Sequence, residues 1–85
     1  MKEINYTIQD PLGIHARPAG ILVKMLKQYK SSVTIFKGDK NCDMKKLLVL
    51  MGMGIKKGEN VTIKIDGEDE EQCAAELEKA MKEMF

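Results

Sequence analysis

Apolar and polar residues alternate through Ile4-Asn5-Tyr6-Thr7-Ile8, the period of a strand with one face buried. Asp10-Pro11-Leu12-Gly13 ends that run, because proline removes a ladder donor and glycine admits a positive φ. From Arg17 to about Tyr29 the period lengthens. Ala19, Leu22, Val23, Leu26 and Tyr29 recur in steps of three and four, which predicts the buried stripe of a helix. The same spacing puts Arg17, Gly20, Ile21, Lys24 and Lys27 on another face. Pro18 suits a first helical turn, where the N–H it lacks has no partner anyway. Gly20 costs up to about 1 kcal/mol relative to alanine in a helix interior.

Ser32 to Lys37 predicts a second strand, and Gly38-Asp39 can close a hairpin onto a third near Lys40 to Asp43. Lys45 to Met53 fits a buried strand or a short helix; its leucines and methionines, without a majority of β-branched residues, favour helix. Gly54 and Gly58 bracket a turn before the alternating strand Val61 to Ile65. Asp69 followed by Gln72 resembles a capping box, and Cys73, Leu77, Ala80, Met81 and Met84 continue helically to the C-terminus. The order is βαββαβα. Strands and helices with one apolar face each predict an α+β fold: an open-faced β-sandwich, a four-stranded antiparallel sheet with three helices on one face. No linker or repeat divides the 85 residues, so 1–85 is expected to form a single domain.

Composition narrows the function. Fourteen basic against thirteen acidic residues give a formal charge of +1, without the concentrated basic surface that nucleic-acid binding needs. The longest apolar run, Leu47 to Met51, is too short to insert through a membrane. The opening MKEINYTIQD turns polar and acidic before a signal peptide could form, so a cytoplasmic protein is expected. Cys42 and Cys73 allow one disulfide or two reduced thiols, and cytoplasmic usage favours two reduced, partly buried thiols. One histidine and no Cys-x-x-Cys leave no metal site, and no nucleotide fingerprint or other cofactor motif is present.

That histidine, His15, falls between the first strand and the first helix, at a rim and not in the core. A partly exposed turn histidine without special function is one reading. Its neighbours favour another. No serine, threonine, aspartate or asparagine stands at 15 or 16 to cap the first helical N–H groups, which carry the positive end of the macrodipole and suit an anion. Arg17 adds a planar donor fork matched to phosphoryl oxygens. A histidine that can accept a phosphoryl group, in a chain with no nucleotide site, should receive it from another protein.

Gly13-Ile14-His15-Ala16-Arg17-Pro18-Ala19 resembles the active-site motif of HPr, the histidine-containing phosphocarrier of the bacterial phosphoenolpyruvate-dependent sugar phosphotransferase system. The likeness runs without gaps through Met51, Gly54, Ile55, Lys57 and Gly58, and the element order fits the remainder. The resemblance implies that His15 takes a phosphoryl group on Nδ1 from enzyme I and passes it to IIA proteins. It makes Arg17 the phosphate-stabilising residue, with the backbone donors of Ala16 and Arg17 completing the anion site. Such a protein is a phosphoryl-transfer carrier, not a free-standing enzyme with its own small-molecule substrate.

The resemblance also implies a docking patch. Ile21 and Lys24 follow Arg17 along the exposed helix face, and Leu47, Leu48 and Met51 lie in an apolar segment richer than one short helix can bury. Methionine suits a surface that must fit several partners. Leu50 and Ile55 are expected in the core instead. A carrier whose patch must stay free is expected to be a monomer. Departures from the family pattern include Leu12, Gly20, Val49 and Gly52, and Lys46 where many relatives carry a regulatory serine. The alternatives are a non-catalytic regulatory module of the same fold and a paralogue serving one specialised non-sugar phosphorelay. Retention of His15 with loss of the serine favours phosphoryl transfer.

Overall fold

Why these segments form one sheet is visible in its register. The computed structural model describes residues 1–85: β1 (Lys2–Thr7), α1 (Ala16–Leu26), β2 (Ser32–Lys37), β3 (Lys40–Asp43), α2 (Leu47–Gly52), β4 (Asn60–Asp66) and α3 (Glu70–Met84). The strands run antiparallel in the order β1-β4-β2-β3. Ile4 faces Ile63, Ile63 faces Ile35, and Ile35 faces Cys42. All four are buried, so one apolar row crosses the whole sheet. The opposite face carries Asn5, Thr62, Phe36 and Asn41 in register, with the Thr62 hydroxyl donating to Asn5 at 2.7 Å and the Lys64 ammonium over Phe36. A one-residue slip would exchange the two faces, which is why the register is fixed.

The three helices lie on the apolar face. α1 buries Ala19, Leu22, Val23 and Leu26, and α3 buries Cys73, Leu77, Ala80 and Met81. The buried apolar residues form a single cluster, in which each fully enclosed Ile or Leu stabilises by roughly 2 kcal/mol. The expected open-faced α+β sandwich is the observed one. Leu50 and Ile55 are buried as expected. Cys42 and Cys73 are free thiols and both are buried, more fully than their sequence context suggests.

Two local expectations are corrected. α1 ends at Leu26 and not near Tyr29. The Gln28 and Tyr29 amides bond to carbonyls three residues back, on Met25 and Leu26, so the last turn tightens and stops. Beyond it the Asp69 carboxylate accepts the Lys30 and Ser31 amides at 2.8 and 3.0 Å, and the Lys45 ammonium donates to the carbonyls of Tyr29 and Ser31. That engagement explains the second correction. Asp69 is the N-cap of α3 but makes no side-chain bond to its own helix, so the Asp69–Gln72 capping box does not form. Its oxygens tie α3 to the end of α1 instead.

Candidate functional site

His15 is placed by a chain of turns. The Asp10 carboxylate accepts the Leu12 amide at 2.8 Å, and the Asp10 carbonyl accepts the Gly13 amide at 2.8 Å. Gly13 takes φ +68°, and a Cβ added there would collide with the Ile55–Lys56 backbone. The Ile14 amide then donates to the Ile55 carbonyl at 3.0 Å, and the Ile14 side chain is buried. The loop that receives it is braced in turn. Lys37 donates to the carbonyls of Met53 and Gly54 and pairs with Glu59 at 2.8 Å. Glu59 accepts the Lys56 amide at 2.8 Å. The Lys37 ammonium, followed by that amide, holds the Glu59 carboxyl below its ordinary value.

His15 therefore emerges in extended conformation, φ −128° and ψ 168°, as the N-cap of α1. Its carbonyl accepts the first helical bond, from Ala19 at 3.0 Å. Its side chain makes no cap bond and is 32% exposed, at the rim that the sequence suggests. No acidic residue stands in the first turn of α1. The Ala16 and Arg17 amides make no hydrogen bond, and Pro18 has no N–H to offer. Arg17 is exposed and joins none of the ion pairs of the protein. Two unbonded amides and an unpaired arginine thus stand at the start of α1 directly after His15, an arrangement that can hold an anion there.

Two neighbours of the ring are absent from the sequence-level picture. Asp10 stands 3.3 Å from His15 Nε2 through its second oxygen. The Leu12 amide first, and His15 after it, hold the Asp10 carboxyl below its ordinary value. Phe85, from the other end of the chain, sets its ring edge-on to the imidazole, 6.3 Å between centroids at 86°. A Phe85 main-chain oxygen accepts the amides of Gln9 and Asp10. No acidic residue lies within five positions after His15, but one before it reaches the ring. Asp10 carries a faint signal, since Asp-Pro-x-Gly is a turn that folds back on itself; Phe85 carries none.

The suggested patch residues divide by exposure. Leu48 is 85% and Ile21 56% exposed, and Lys24 is exposed, whereas Leu47 and Met51 are half-buried. α1 and α2 pack together, with Leu47 Cδ2 4.0 Å from where a Cβ on Gly20 would stand. Val49, 51% exposed, joins the apolar surface of α2 beside Leu48. Lys24, Lys27 and Lys46, like Arg17, join no ion pair.

Comparison with known proteins bears directly on this site. A family model described as "PTS HPr component phosphorylation site" matches residues 2–83. The phosphocarrier protein HPr of Lysinibacillus sphaericus is 38% identical over 84 residues, 99% of this chain and 96% of that protein. A solved histidine-containing phosphocarrier protein of Mycoplasma superposes with a TM-score of 0.93 at 33% identity, over 96% of this chain and 93% of that one. A solved HPr dimer from Thermoanaerobacter tengcongensis matches with a TM-score of 0.76 at 29% identity, over 98% of this chain and 95% of that one.

Proposed function

The chain belongs to the HPr family of phosphocarrier proteins of the phosphotransferase system, and we propose that it receives a phosphoryl group on His15 from phosphorylated enzyme I and delivers it to IIA proteins. The observation that carries this reading is the His15 ring itself. Its Nε2 is engaged by Asp10, while Nδ1 has no partner and lies at the start of a helix with unbonded Ala16 and Arg17 amides. In the transfer, the Nδ1 lone pair forms a bond to phosphorus as the donor's bond to phosphorus breaks, and the donor leaves with that electron pair. Arg17 and the two amides offset the charge of the phosphoryl oxygens. Delivery is the same step reversed onto an acceptor.

Docking uses Ile21, Lys24, Leu47, Leu48 and Met51. The exposed Leu48 and Ile21 offer apolar anchors without cost to the core, and the unpaired cations of α1 and the Lys46 junction steer an acidic partner surface. Free access to that surface makes the working form a cytoplasmic monomer. Incubation with enzyme I and phosphoenolpyruvate, followed by a panel of IIA proteins, tests the assignment. An acid-labile mass increase of one phosphate is expected, lost in His15→Ala and passed on to at least one acceptor. An unmodified chain would refute the carrier reading, and a dimer by light scattering at working concentration would refute the monomer.

A further inference from the structure

The side of the imidazole turned away from the phosphoryl site is as specifically built as the side that faces it. We propose that Asp10 is a positioning residue for His15: its carboxylate fixes the ring proton on Nε2 and so keeps Nδ1 as the lone-pair nitrogen. The inference rests on the carrier reading for its consequence, but its geometry stands without it.

Asp10 is held from three directions. One carboxylate oxygen accepts the Leu12 amide, the main-chain carbonyl accepts the Gly13 amide, and the main-chain N–H donates to Phe85 at 2.9 Å. The remaining carboxylate oxygen is the one that reaches Nε2, at 3.3 Å. Phe85 meanwhile lies edge-on to the imidazole. A carboxylate offers only acceptors, so its ring partner must be an N–H. A neutral imidazole has one N–H. With that proton at Nε2, the lone pair belongs to Nδ1.

The consequence for transfer follows from charge. As the N–P bond forms at Nδ1, positive charge develops on the ring, and a carboxylate against Nε2–H stabilises it. As the phosphoryl group departs, that charge disappears and the ring returns to the neutral Nε2–H form. The proton stays on Nε2 throughout, and nothing is required beyond the phosphorylated donor and the acceptor. The same logic governs the aspartate of serine-protease triads, which orients a histidine without itself becoming protonated. Asp10 does not touch the phosphoryl group, so its part is orientation of the ring.

Asp10→Asn separates orientation from folding. The amide oxygen can keep the Leu12 bond and hence the turn, which directs the NH2 group at Nε2. A donor there requires a lone pair on Nε2 and moves the ring proton to Nδ1. Long-range proton–nitrogen NMR of histidine-labelled protein, at a pH where the ring is neutral, reads the tautomer directly. Wild type is expected as Nε2–H, Asp10→Asn as Nδ1–H, and Asp10→Ala as a mixture, with unchanged urea midpoints as the fold control. Phosphoryl acceptance from enzyme I is expected to fall about a hundredfold or more in Asp10→Asn, and less in Asp10→Ala. A wild-type ring protonated on Nδ1, a tautomer indifferent to both variants, or a flipped tautomer with an unchanged rate each overturns the proposal. An Nε2–H ring in wild-type protein that accepts no phosphoryl group would overturn the carrier reading and leave the orientation by Asp10 intact.

Discussion

Gly13→Ala should damage this protein far more than loss of one glycine ordinarily does, because two independent penalties meet there. Its φ of +68° is left-handed, a region that costs an L-residue roughly 1–2 kcal/mol. A Cβ at Gly13 would also stand 2.3 Å from the Ile55 carbonyl oxygen and 2.8 Å from the Lys56 α-carbon. Real Cβ atoms essentially never come within 3.0 Å of such a neighbour, and the usual Cα–H···O separation is about 3.3 Å, so the two backbones must separate by about 1 Å. That separation breaks the Ile14–Ile55 hydrogen bond between two buried residues, at about 1–3 kcal/mol. The receiving loop cannot simply move aside, since Lys37 and Glu59 brace it. Reduced freedom of the unfolded chain returns about 0.4–1 kcal/mol. The net loss comes to about 1–5 kcal/mol.

Gly38→Ala is the matched control. Its φ is +60°, but nothing lies within 4 Å of the added Cβ, so only the left-handed penalty applies, about 1 kcal/mol after the unfolded-state gain. The chain has no tryptophan, so urea unfolding followed by far-UV circular dichroism is the assay, with equal m-values required of both variants. Gly13→Ala is expected to lie about 2 kcal/mol below Gly38→Ala, or about 8–16 °C in Tm for a domain of this size. Equal midpoints would refute the close approach of Gly13 to Ile55, and with it the account of how His15 is held.

Gly20→Ala should act in the opposite direction, because a Cβ in this helix interior meets only Leu47 Cδ2 at 4.0 Å; a gain of about 0.5–1 kcal/mol in the same urea assay is expected, and a loss would contradict the packing of α2 on α1. The Ser31 hydroxyl first, with the Lys30 and Ser31 amides, holds the Asp69 carboxyl below its ordinary value. Its stabilising contribution is therefore complete above the unfolded carboxylate value of about 3.9 and fades as pH falls through the lower folded value. Asp69→Asn should flatten the acid limb of the stability curve, leaving the part due to Asp10, Glu59 and Glu70, whose carboxyls are also held low; a curve parallel to wild type would count against the tether. Lys46 occupies the N-cap of α2, Ser31 is buried against Asp69, and the Ser32 hydroxyl donates to the Asp66 carbonyl. A serine-directed kinase with ATP is expected to leave the chain unmodified, and stoichiometric hydroxyl phosphate by intact mass would refute that.

What the sequence made legible was whatever repeats or is contiguous. The strand at Ser32 to Lys37 and the buried stripe of α1 follow from the run of apolar residues, and the hairpin at Gly38-Asp39 and the turn at Gly13 from composition. His15, Ala16 and Arg17 form one motif, so a resemblance could find them. What escaped depends on contacts across the chain. The end of α1 is set by Asp69 and Lys45, distant in sequence, and local periodicity carries no trace of them. Asp69 has the spacing of a capping residue, yet tertiary partners compete successfully for its oxygens. Asp10 looks like a turn residue because it is one; only the fold shows that its second oxygen is free to meet the ring.

An uncapped helix start alone does not identify an anion site, for α2 and α3 also lack a side-chain cap bond. α3 compensates with Glu70 and Glu71 in its first turn, and α2 is a six-residue helix with little dipole to satisfy. α1 has eleven residues, no first-turn acid, and an unpaired arginine beside a histidine as its N-cap. The Ala16 and Arg17 amides belong to exposed residues and have no acceptor within the protein, so they are open to one supplied from outside. Phosphorylated His15 would supply it, acting as the cap that the sequence omits. Phosphorylation should therefore shift the Ala16 and Arg17 amide protons downfield, slow their exchange with solvent, and stabilise the fold by about 1 kcal/mol, the usual worth of a cap. Amides that exchange at the same rate in both forms would mean that the phosphoryl group points away from α1, leaving Arg17 as its only cationic support.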